Sequence, residues 1–287
     1  MSRHFCDLHT HSTFSDGTDT PETIIEKAEA IGLSAVALTD HNTVDGIPAF
    51  LAAARGRRVE AVAGIEFSAV HKEGSLHILG LGLKESCLDE VTSFLASFRK
   101  AKEESSRALV QALASAGFPL DYNAIAKKTE GVPNRAHIAT ALVEAGCFPT
   151  VAAAFDGCLR HRHGFYTPPP RPAAEDCLVL LHEIGALAVI AHPFFDFNED
   201  TLRRFVTSLP REARPDAMEA YYSEYSEEQT ALSLRIAKEL GLLAAGGSDY
   251  HGENKPWISL GRGCGGLFVP LSVWKRLKKR LSARSGV

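Results

Sequence analysis

The sequence lacks the features that would place it in a membrane or in an oxidising compartment. No run of about 18 uncharged apolar residues occurs, so no membrane span is predicted. The first residues contain no basic segment followed by a long apolar one, and we therefore expect no signal peptide. The six cysteines are scattered without a Cys-x-x-Cys pair, which favours free thiols in a reducing compartment over a disulfide framework. These absences predict a cytoplasmic protein without a membrane partner.

The sequence also has no excess of positive charge. With a formal net charge of −4, the chain has no broad basic surface for a long polyanion, which argues against DNA as a partner. A small anion held by a few local arginines is still compatible with this balance. The apolar fraction of 45% and the charged fraction of 23% are ordinary for a globular protein, and 287 residues suit one large α/β domain with or without an inserted lobe.

Strand and helix patterns alternate through most of the chain. About seven apolar, strand-like runs are each followed by a helical pattern, which predicts a parallel, barrel-like sheet. One helix start is distinct, because Thr20, Pro21 and Glu22 supply an N-cap, a first-turn proline and a first-turn acid. The predicted strands cover residues 5–8, 35–38, 59–64, 75–83, 187–191, 217–221 and 242–246, with a last one near 265–269.

The alternation stops after about residue 88 and resumes near residue 173. We expect residues 88–170 to form an inserted helical subdomain that caps the substrate site, and residues 1–87 and 171–287 to form the barrel. The insert is predicted to contain a long amphipathic helix at 88–116 and shorter helices at 121–129, 135–145 and 149–159, before a proline-rich loop.

Histidines and carboxylates recur at the ends of the predicted strands. Because the carboxyl ends of parallel strands meet at one end of a barrel, we expect these side chains to converge there. Repeated imidazoles and carboxylates at one such edge indicate a multinuclear metal site and metal-assisted hydrolysis. The motifs are Asp7-Leu8-His9-Thr10-His11, Ser15-Asp16-Gly17, Thr39-Asp40-His41, Gly64-Ile65-Glu66, Ala191-His192-Pro193 and Ser248-Asp249-Tyr250-His251, with His77 inside its strand.

The spacing within two of these motifs strengthens the prediction. His9 and His11 are two residues apart on an extended segment, which puts both side chains on one face, and the same holds for Asp249 and His251. The donors are nitrogen and carboxylate oxygen without thiolate, a set that favours Mn²⁺, Fe²⁺ or Zn²⁺. Several such cations close together would hold a bridging hydroxide at neutral pH and bind the oxygens of a phosphate.

Taken together, the motifs resemble those of the PHP (polymerase and histidinol phosphatase) family over about residues 5–269. The resemblance implies an α/β fold, a distorted (β/α)7 barrel, with a trinuclear centre of three divalent metal ions. We expect these ions to be Mn²⁺, with Fe²⁺ or Zn²⁺ as alternatives. The implied ligands are His9, His11, Glu66 and Asp249 for one metal, Glu66, His77 and His192 for a second, and Asp16, His41 and His251 for the third.

Two of the implied positions carry a qualification. Asp40 is expected to hydrogen-bond a ligand rather than to touch a metal. Some family members have His where this chain has Asp16, and the carboxylate keeps a ligand there while changing the properties of the third site.

Within the family, the chain resembles a bacterial branch whose helical insert follows the third motif. Its members remove phosphate from 3′,5′-bisphosphonucleotides, and some act as 5′–3′ exonucleases on short RNA. Residues 133–139 and the segment Leu260-Gly261-Arg262 support this resemblance. It implies that Asn134, Arg135, His137 and Arg262 contact the substrate, where the two arginines suit bidentate phosphate contacts.

The leading hypothesis is a metal-dependent phosphomonoesterase that converts adenosine 3′,5′-bisphosphate to AMP and phosphate. Its partner would be a small nucleotide. One alternative is a 5′–3′ exoribonuclease on short RNA with the same centre, and another is histidinol-phosphate phosphatase. A non-catalytic metal-binding module is a further alternative, although every expected ligand position is filled. The general acid and the oligomeric state are left open.

Overall fold

One curled sheet forms the frame of the molecule. The computed structural model describes residues 4–72 and 74–284, and within them eight strands pair in the order β7-β6-β5-β4-β3-β2-β1-β8. The barrel nearly closes where β1 approaches β7, because the Leu8 amide donates to the carbonyl of Gly246 at 3.2 Å. The strands are β1 Phe5–Asp7, β2 Ala35–Leu38, β3 Glu60–His71, β4 Gly74–Leu81, β5 Leu187–Ile190, β6 Ala217–Tyr222, β7 Leu243–Gly247 and β8 Val269–Pro270.

The helices pack around this sheet and in the insert. Helix α1 starts as predicted, since the Thr20 side chain accepts from the Thr23 amide at 3.2 Å and Pro21 occupies the first turn. No helix in the described ranges combines the length and the apolar character that crossing a membrane requires. The helices are α1 Pro21–Ala30, α2 Ile47–Ala53, α3 Leu88–Ser115, α4 Tyr122–Lys127, α5 Arg135–Glu144, α6 Val151–Ala154, α7 Ala174–Glu183, α8 Glu199–Ser208, α9 Glu227–Glu239 and α10 Leu271–Arg284.

The prediction of a wholly parallel sheet with a helix after every strand is wrong at β4. This strand is antiparallel to both β3 and β5, and β8 is antiparallel to β1. Strand β3 is longer than predicted and runs to His71, so that β4 begins only a few residues later at Gly74. Such a short connection has no room for a helical crossover, and the two strands form a hairpin instead.

The inserted helices have an apolar core of their own. Leu109, Leu113, Ile138 and Leu142 are buried there, apart from the two apolar clusters of the barrel. Helix α3 contributes to both regions, because Val91 and Leu95 at its start pack into the barrel core. The division of the chain at residues 88–170 therefore stays a prediction.

The last predicted helix of the insert differs in detail. Residues 149–159 were expected to form one α-helix, but α6 ends at Ala154 and the chain continues as a single π-helical turn, Phe155–Leu159. Gly157 allows this turn to pack tightly, since a Cβ at that position would lie 2.4 Å from the ring of Phe148.

Candidate metal centre

Most side chains of the centre follow the carboxyl ends of the strands, whereas Glu66 lies within β3 and His77 lies within the antiparallel β4. Beyond β1, the chain stays extended, as shown by the bridge between Thr10 and Tyr250 after β7. His9 and His11 consequently lie on one face, with their Nε2 atoms 3.1 Å apart. Thr10 between them points the other way and donates to the Ala37 carbonyl at 2.6 Å.

A first group of donors converges on one point inside the barrel mouth. The Nε2 atoms of His9 and His11 both lie 3.1 Å from Oε2 of Glu66. Oδ1 of Asp249 is 3.5 Å from the His9 nitrogen and 3.2 Å from the His11 nitrogen. Four donors held about 2.1 Å from a central cation in a tetrahedron are about 3.4 Å apart, so the spacing fits a metal ion.

A second group surrounds the other oxygen of Glu66. Oε1 lies 2.8 Å from Nδ1 of His77 and 3.1 Å from Nε2 of His192. Glu66 thus faces two sets of imidazoles with its two oxygens, as the family resemblance implies for a bridging ligand. His41 approaches the same carboxylate from the side of its first oxygen, with Nδ1 3.1 Å from Oε2 of Glu66.

A third group forms around Asp16. Its Oδ1 is 3.3 Å from Nε2 of His251, and its Oδ2 is 4.0 Å from Nε2 of His41. His11 adds a donor that was assigned to the first metal alone, because its Nδ1 is 3.8 Å from Oδ1 of Asp16. The structure therefore brings all nine predicted ligands into one continuous cluster with His11, His41 and Glu66 shared between groups.

Several polar atoms in this cluster have no hydrogen-bond partner although they are buried. They are Oδ1 of Asp16, Nδ1 of His41, Oε2 of Glu66 and Nδ1 of His192. Leaving such atoms unsatisfied costs about 1–3 kcal/mol each. Divalent cations would satisfy the atoms of Asp16, His41 and Glu66, which face other donors, so the donor set fits the metal ions that the sequence predicts. Nδ1 of His192 is a different case, because this residue faces Glu66 with its other ring nitrogen.

The carboxylates and imidazoles shift one another's protonation. Burial would raise the pKa of Glu66 and of Asp249, but the surrounding histidines hold both well below the usual range. Conversely, burial would lower the pKa of His11, yet Asp249 and Glu66 raise it to about 9. The centre thus keeps its acids ionised and ready to bind cations.

Two residues that the sequence analysis missed hold the ligands in place. Glu219 accepts from Nδ1 of His9 at 3.1 Å and from the backbone amide of His192 at 2.7 Å. Its hydrogen bond directs the free Nε2 of His9 into the cluster. Tyr222 donates to Oδ2 of Asp249 at 2.8 Å. A charged residue inside the apolar strand β6 was the signal that could have identified Glu219.

Two further carboxylates organise the loops that carry the ligands. Asp40 accepts from the Ser12 amide at 2.7 Å and from the hydroxyls of Ser12 and Ser15, which orders the loop leading to Asp16. Asp7 accepts from the amides of Ser248 and Gly261 and so ties β1 to the segment after β7. Neither side chain belongs to the three donor groups.

The backbone is strained at two of the ligands. His192 has φ of 25° and Asp249 has φ of 56°, a region that residues other than glycine seldom adopt. His192 lies two residues after the end of β5 and Asp249 two residues after the end of β7, and both residues are buried. Strain of this kind is maintained only where the surroundings enforce it, and it is common at functional sites.

A cleft of about 250 Å³ opens from the centre, beside the end of β2 and against residues within β3 and β4. His41 and His77 lie at its inner end, and the insert forms its outer wall. Lys102, Arg135 and Arg171 line it, and none of the three forms an ion pair with a carboxylate of the described residues. Both side chains are partly buried, and this burial lowers the pKa of Lys102 and of Arg135.

The structure brings two of the four predicted substrate contacts to this cleft. Asn134 and Arg135 line the cleft, where the guanidinium lies 4.3 Å from the ring centre of Tyr166. Asn134 also caps α5, and its Nδ2 donates to the Ser15 carbonyl at 3.1 Å. His137 completes that cap and faces a different cavity, of about 680 Å³.

Arg262 is the predicted contact that the structure does not bring to the cleft. Its guanidinium lies 4.5 Å from the ring centre of Phe5, at the start of β1, whereas the metal centre lies beyond the end of that strand. The motif around Arg262 instead supports the backbone, since the neighbouring Gly261 amide donates to Asp7 at 2.7 Å.

Comparison with known proteins gives the family. A model of the PHP domain matches residues 7–255. The chain belongs to the PHP domain family. Among its PHP relatives, the 5′-3′ exoribonuclease Rnm of Salmonella typhimurium is 32% identical over 271 residues, which cover 93% of this chain and 90% of the relative. A 3′,5′-nucleoside bisphosphate phosphatase of Chromobacterium violaceum is 27% identical over 278 residues, covering 96% of this chain and 97% of that protein.

A solved structure agrees with the sequence comparison. A protein from Bifidobacterium adolescentis, described as a metal-dependent phosphoesterase, has a TM-score of 0.85 and 28% identity, with 96% of each chain covered. The predicted α/β barrel of the PHP family is therefore confirmed. The protein is a PHP phosphoesterase and thus a metal-dependent hydrolase.

Proposed function

We propose that the protein removes the 3′-phosphate of 3′,5′-bisphosphonucleotides and converts adenosine 3′,5′-bisphosphate to AMP and phosphate. The observation that supports this most is the cleft, which joins the donor cluster to three cations that form no ion pair with a carboxylate of the described residues. A volume of about 250 Å³ suits one nucleotide rather than a long polymer. A substrate with two phosphates matches a cleft that is lined by three cations in addition to the donor cluster.

The cations divide into two sets. Asp16 and Asp40 favour the charge on Lys102, which places this lysine near the donor cluster. Arg135 lies against the ring of Tyr166, and Arg171 disfavours its charge, so we group these two arginines as the second set. We assign the reacting 3′-phosphate to the donor cluster with Lys102, and the 5′-phosphate to Arg135 and Arg171, where a bidentate contact suits its oxygens.

The donor groups are proposed to hold three divalent cations, Mn²⁺ or else Fe²⁺ or Zn²⁺. When bound, such cations supply an activated water and neutralise phosphate charge. The residues of the chain do the rest. Glu66 separates the two sets of imidazoles, Glu219 and Tyr222 orient His9 and Asp249, and Lys102 adds positive charge beside the phosphate.

A second candidate function is 5′–3′ exoribonuclease activity on short RNA. It is favoured by the relative from Salmonella typhimurium, which has this name and is 32% identical to the chain. Both reactions break the ester at the 3′-oxygen of a nucleotide that carries a 5′-phosphate. The same cleft would therefore accept the bisphosphonucleotide or the first nucleotide of an RNA.

The test is phosphate release by the Mn²⁺-loaded protein from adenosine 3′,5′-bisphosphate, AMP, histidinol phosphate and a short 5′-phosphorylated RNA. We expect rapid release from the bisphosphate with AMP as product, and no further release from AMP. Mononucleotide release from RNA at a comparable rate would favour the second candidate. Turnover of histidinol phosphate alone would refute both.

The assignment of the 5′-phosphate has its own test. Replacing Arg135 by Ala should raise KM for adenosine 3′,5′-bisphosphate by about 10- to 100-fold, since a charge-assisted contact is lost. KM for 3′-AMP, which lacks the 5′-phosphate, should hardly change. Arg107→Ala is the matched control, because Arg107 lies on α3 against Tyr122 and outside the cleft. An equal loss with both substrates would refute the assignment.

A further inference from the structure

An aromatic side chain is exposed beside the metal centre, on a side that the cleft does not use. Phe195 has 54% of its surface exposed, and its ring centre lies 5.1 Å from that of His192. The other exposed large apolar residues of the described chain are Ile31, Val70 and Trp257, and none of them has a ring contact with a residue of the donor groups.

The ring of Phe195 is held in place by contacts with its neighbours. It meets the ring of Tyr222 edge to face, with the centres 5.2 Å apart and an interplanar angle of 88°. Tyr222 is itself fixed by its hydrogen bond to Asp249. The backbone is fixed as well, because the Phe195 amide donates to the His192 carbonyl at 3.0 Å in a short 3₁₀ turn, Pro193–Phe195.

The topology separates this ring from the nucleotide cleft. The cleft lies beside the end of β2 and against residues within β3 and β4, whereas Phe195 follows β5 and packs against a residue of β6. The proposed function assigns the cleft of about 250 Å³ to the first nucleotide. The part of a longer substrate beyond the reacting phosphate must therefore leave the centre elsewhere, and the rim at β5 and β6 is adjacent.

From this arrangement we infer that Phe195 is the stacking site for the base of the second nucleotide of a short 5′-phosphorylated RNA. The inference rests on the proposed cleavage at the 3′-oxygen and extends it to a second subsite. An aromatic face beside Asp196 suits a neutral base better than a phosphate. Every base has a face that can stack, so the subsite would bind RNA without selecting a sequence.

Cleavage of a dinucleotide whose second base occupies this subsite consumes one water. In the dinucleotide pApA, water adds to the linking phosphorus and the bond from phosphorus to the 3′-oxygen of the first nucleotide breaks. The released 3′-oxygen takes a proton, and both products are AMP. With adenosine 3′,5′-bisphosphate the same bond breaks and phosphate is released, so that no second base is present.

The experiment compares three substrates on the Mn²⁺-loaded protein: pApA, the same dinucleotide with an abasic second nucleotide, and adenosine 3′,5′-bisphosphate. For the natural chain, we expect KM for the abasic dinucleotide to exceed that for pApA by about tenfold, in line with one stacked base. In Phe195→Ala this ratio should fall to about one, while KM and kcat for the bisphosphate change by less than about twofold.

Two further variants separate stacking from a general structural effect. Phe195→Trp should restore the preference for the base, because an indole also stacks. Ile31→Ala, an exposed apolar residue at the end of α1, should leave the ratio unchanged. The inference is overturned if pApA is not cleaved, if the natural chain shows no preference for the base, or if Phe195→Ala keeps that preference. Failure of the proposed phosphatase activity would be seen separately, as no turnover of the bisphosphate.

Discussion

At the scale of single residues, the predicted metal ligands are held by side chains that belong to none of the three donor groups. Glu219 uses one carboxylate oxygen for the ring of His9 and the other for the backbone of His192. These contacts set the orientation of two ligands that come from different strands. Loss of such supporting contacts typically lowers metal affinity or activity by about 10- to 100-fold.

We therefore predict that Glu219→Gln lowers Mn²⁺ affinity by about 10- to 100-fold. The amide keeps the size of the side chain but replaces one of the two accepting oxygens by a donor. Metal content after dialysis and activity at increasing Mn²⁺ concentration measure the effect. Glu224→Gln, an exposed position two residues after Tyr222, is the control. Equal Mn²⁺ affinity in the two variants would contradict the prediction.

Protonation of His11 leads to a second prediction at this scale. Burial alone would lower its pKa, but Asp249 and Glu66 raise it to about 9 in the metal-free protein. Below that pH the imidazole holds a proton that a cation must displace, since only the neutral ring binds a metal. Metal affinity should then fall as the pH is lowered below about 9, and rise as the pH approaches it.

Calorimetry in two buffers of different ionisation enthalpy measures this competition. At pH 7.5, loading the protein with Mn²⁺ should release at least about one proton. His182→Gln, which changes a histidine outside the three donor groups, should release the same number. Binding without proton release would show that His11 is already neutral before the metal arrives.

At the scale of structural elements, the approach of β7 to β1 positions ligands from both ends of the chain. Gly247 makes this approach possible, because a Cβ there would lie 2.4 Å from the backbone nitrogen of His9. No neighbouring flexible side chain could move aside to relieve such a contact. The glycine in the motif before Asp249 is thus required by packing and not by its own backbone angles.

Gly247→Ala should accordingly lower the free energy of unfolding by about 3 kcal/mol and weaken metal binding, because the added methyl group displaces His9. Chemical denaturation and Mn²⁺ titration are the measurements. Gly266→Ala is a suitable control, since a Cβ at that position meets nothing within 4 Å. A Gly247→Ala protein with unchanged stability would mean that the two strands can separate without cost.

At the scale of the whole molecule, the cleft lies between the barrel and the inserted helices. His41 and His77 come from the barrel, while Lys102 and Arg135 come from α3 and α5. The net charge of −4 hides this local excess of cations. A bound nucleotide would contact both regions and stabilise their arrangement by mass action.

We expect hydrogen exchange to slow in α3 and at the start of α5 when the expected product AMP binds to the Mn²⁺-loaded protein. The physical reason is that opening of the insert would then require loss of the ligand contacts. The amides of α10, on the far side of the barrel, serve as the internal control. Unchanged exchange throughout the insert would count against its role as a cap.

Local sequence patterns were sufficient to identify the residues of the donor cluster, but not to identify every residue that lines the cleft. The types and spacing of His9, His11, Asp249 and His251 placed them together at strand ends, and the structure brings them there. Arg262 was assigned to the substrate by its motif, yet it packs on Phe5 at the opposite end of β1. The sequence contains no signal for the direction in which a loop side chain points.

The sequence by itself determined the α/β barrel, the run of helices between β4 and β5 and most of the donor-rich strand ends, because apolar periodicity, helix caps and the order of residue types are local properties. Only the tertiary structure decided that β4 forms an antiparallel hairpin with β3, that His11 and His41 are shared between donor groups, and that Glu219 supports His9. The last pair is separated by 210 positions in the chain. Such contacts depend on which strands become neighbours when the sheet curls, and that choice is made by the packing of the entire molecule.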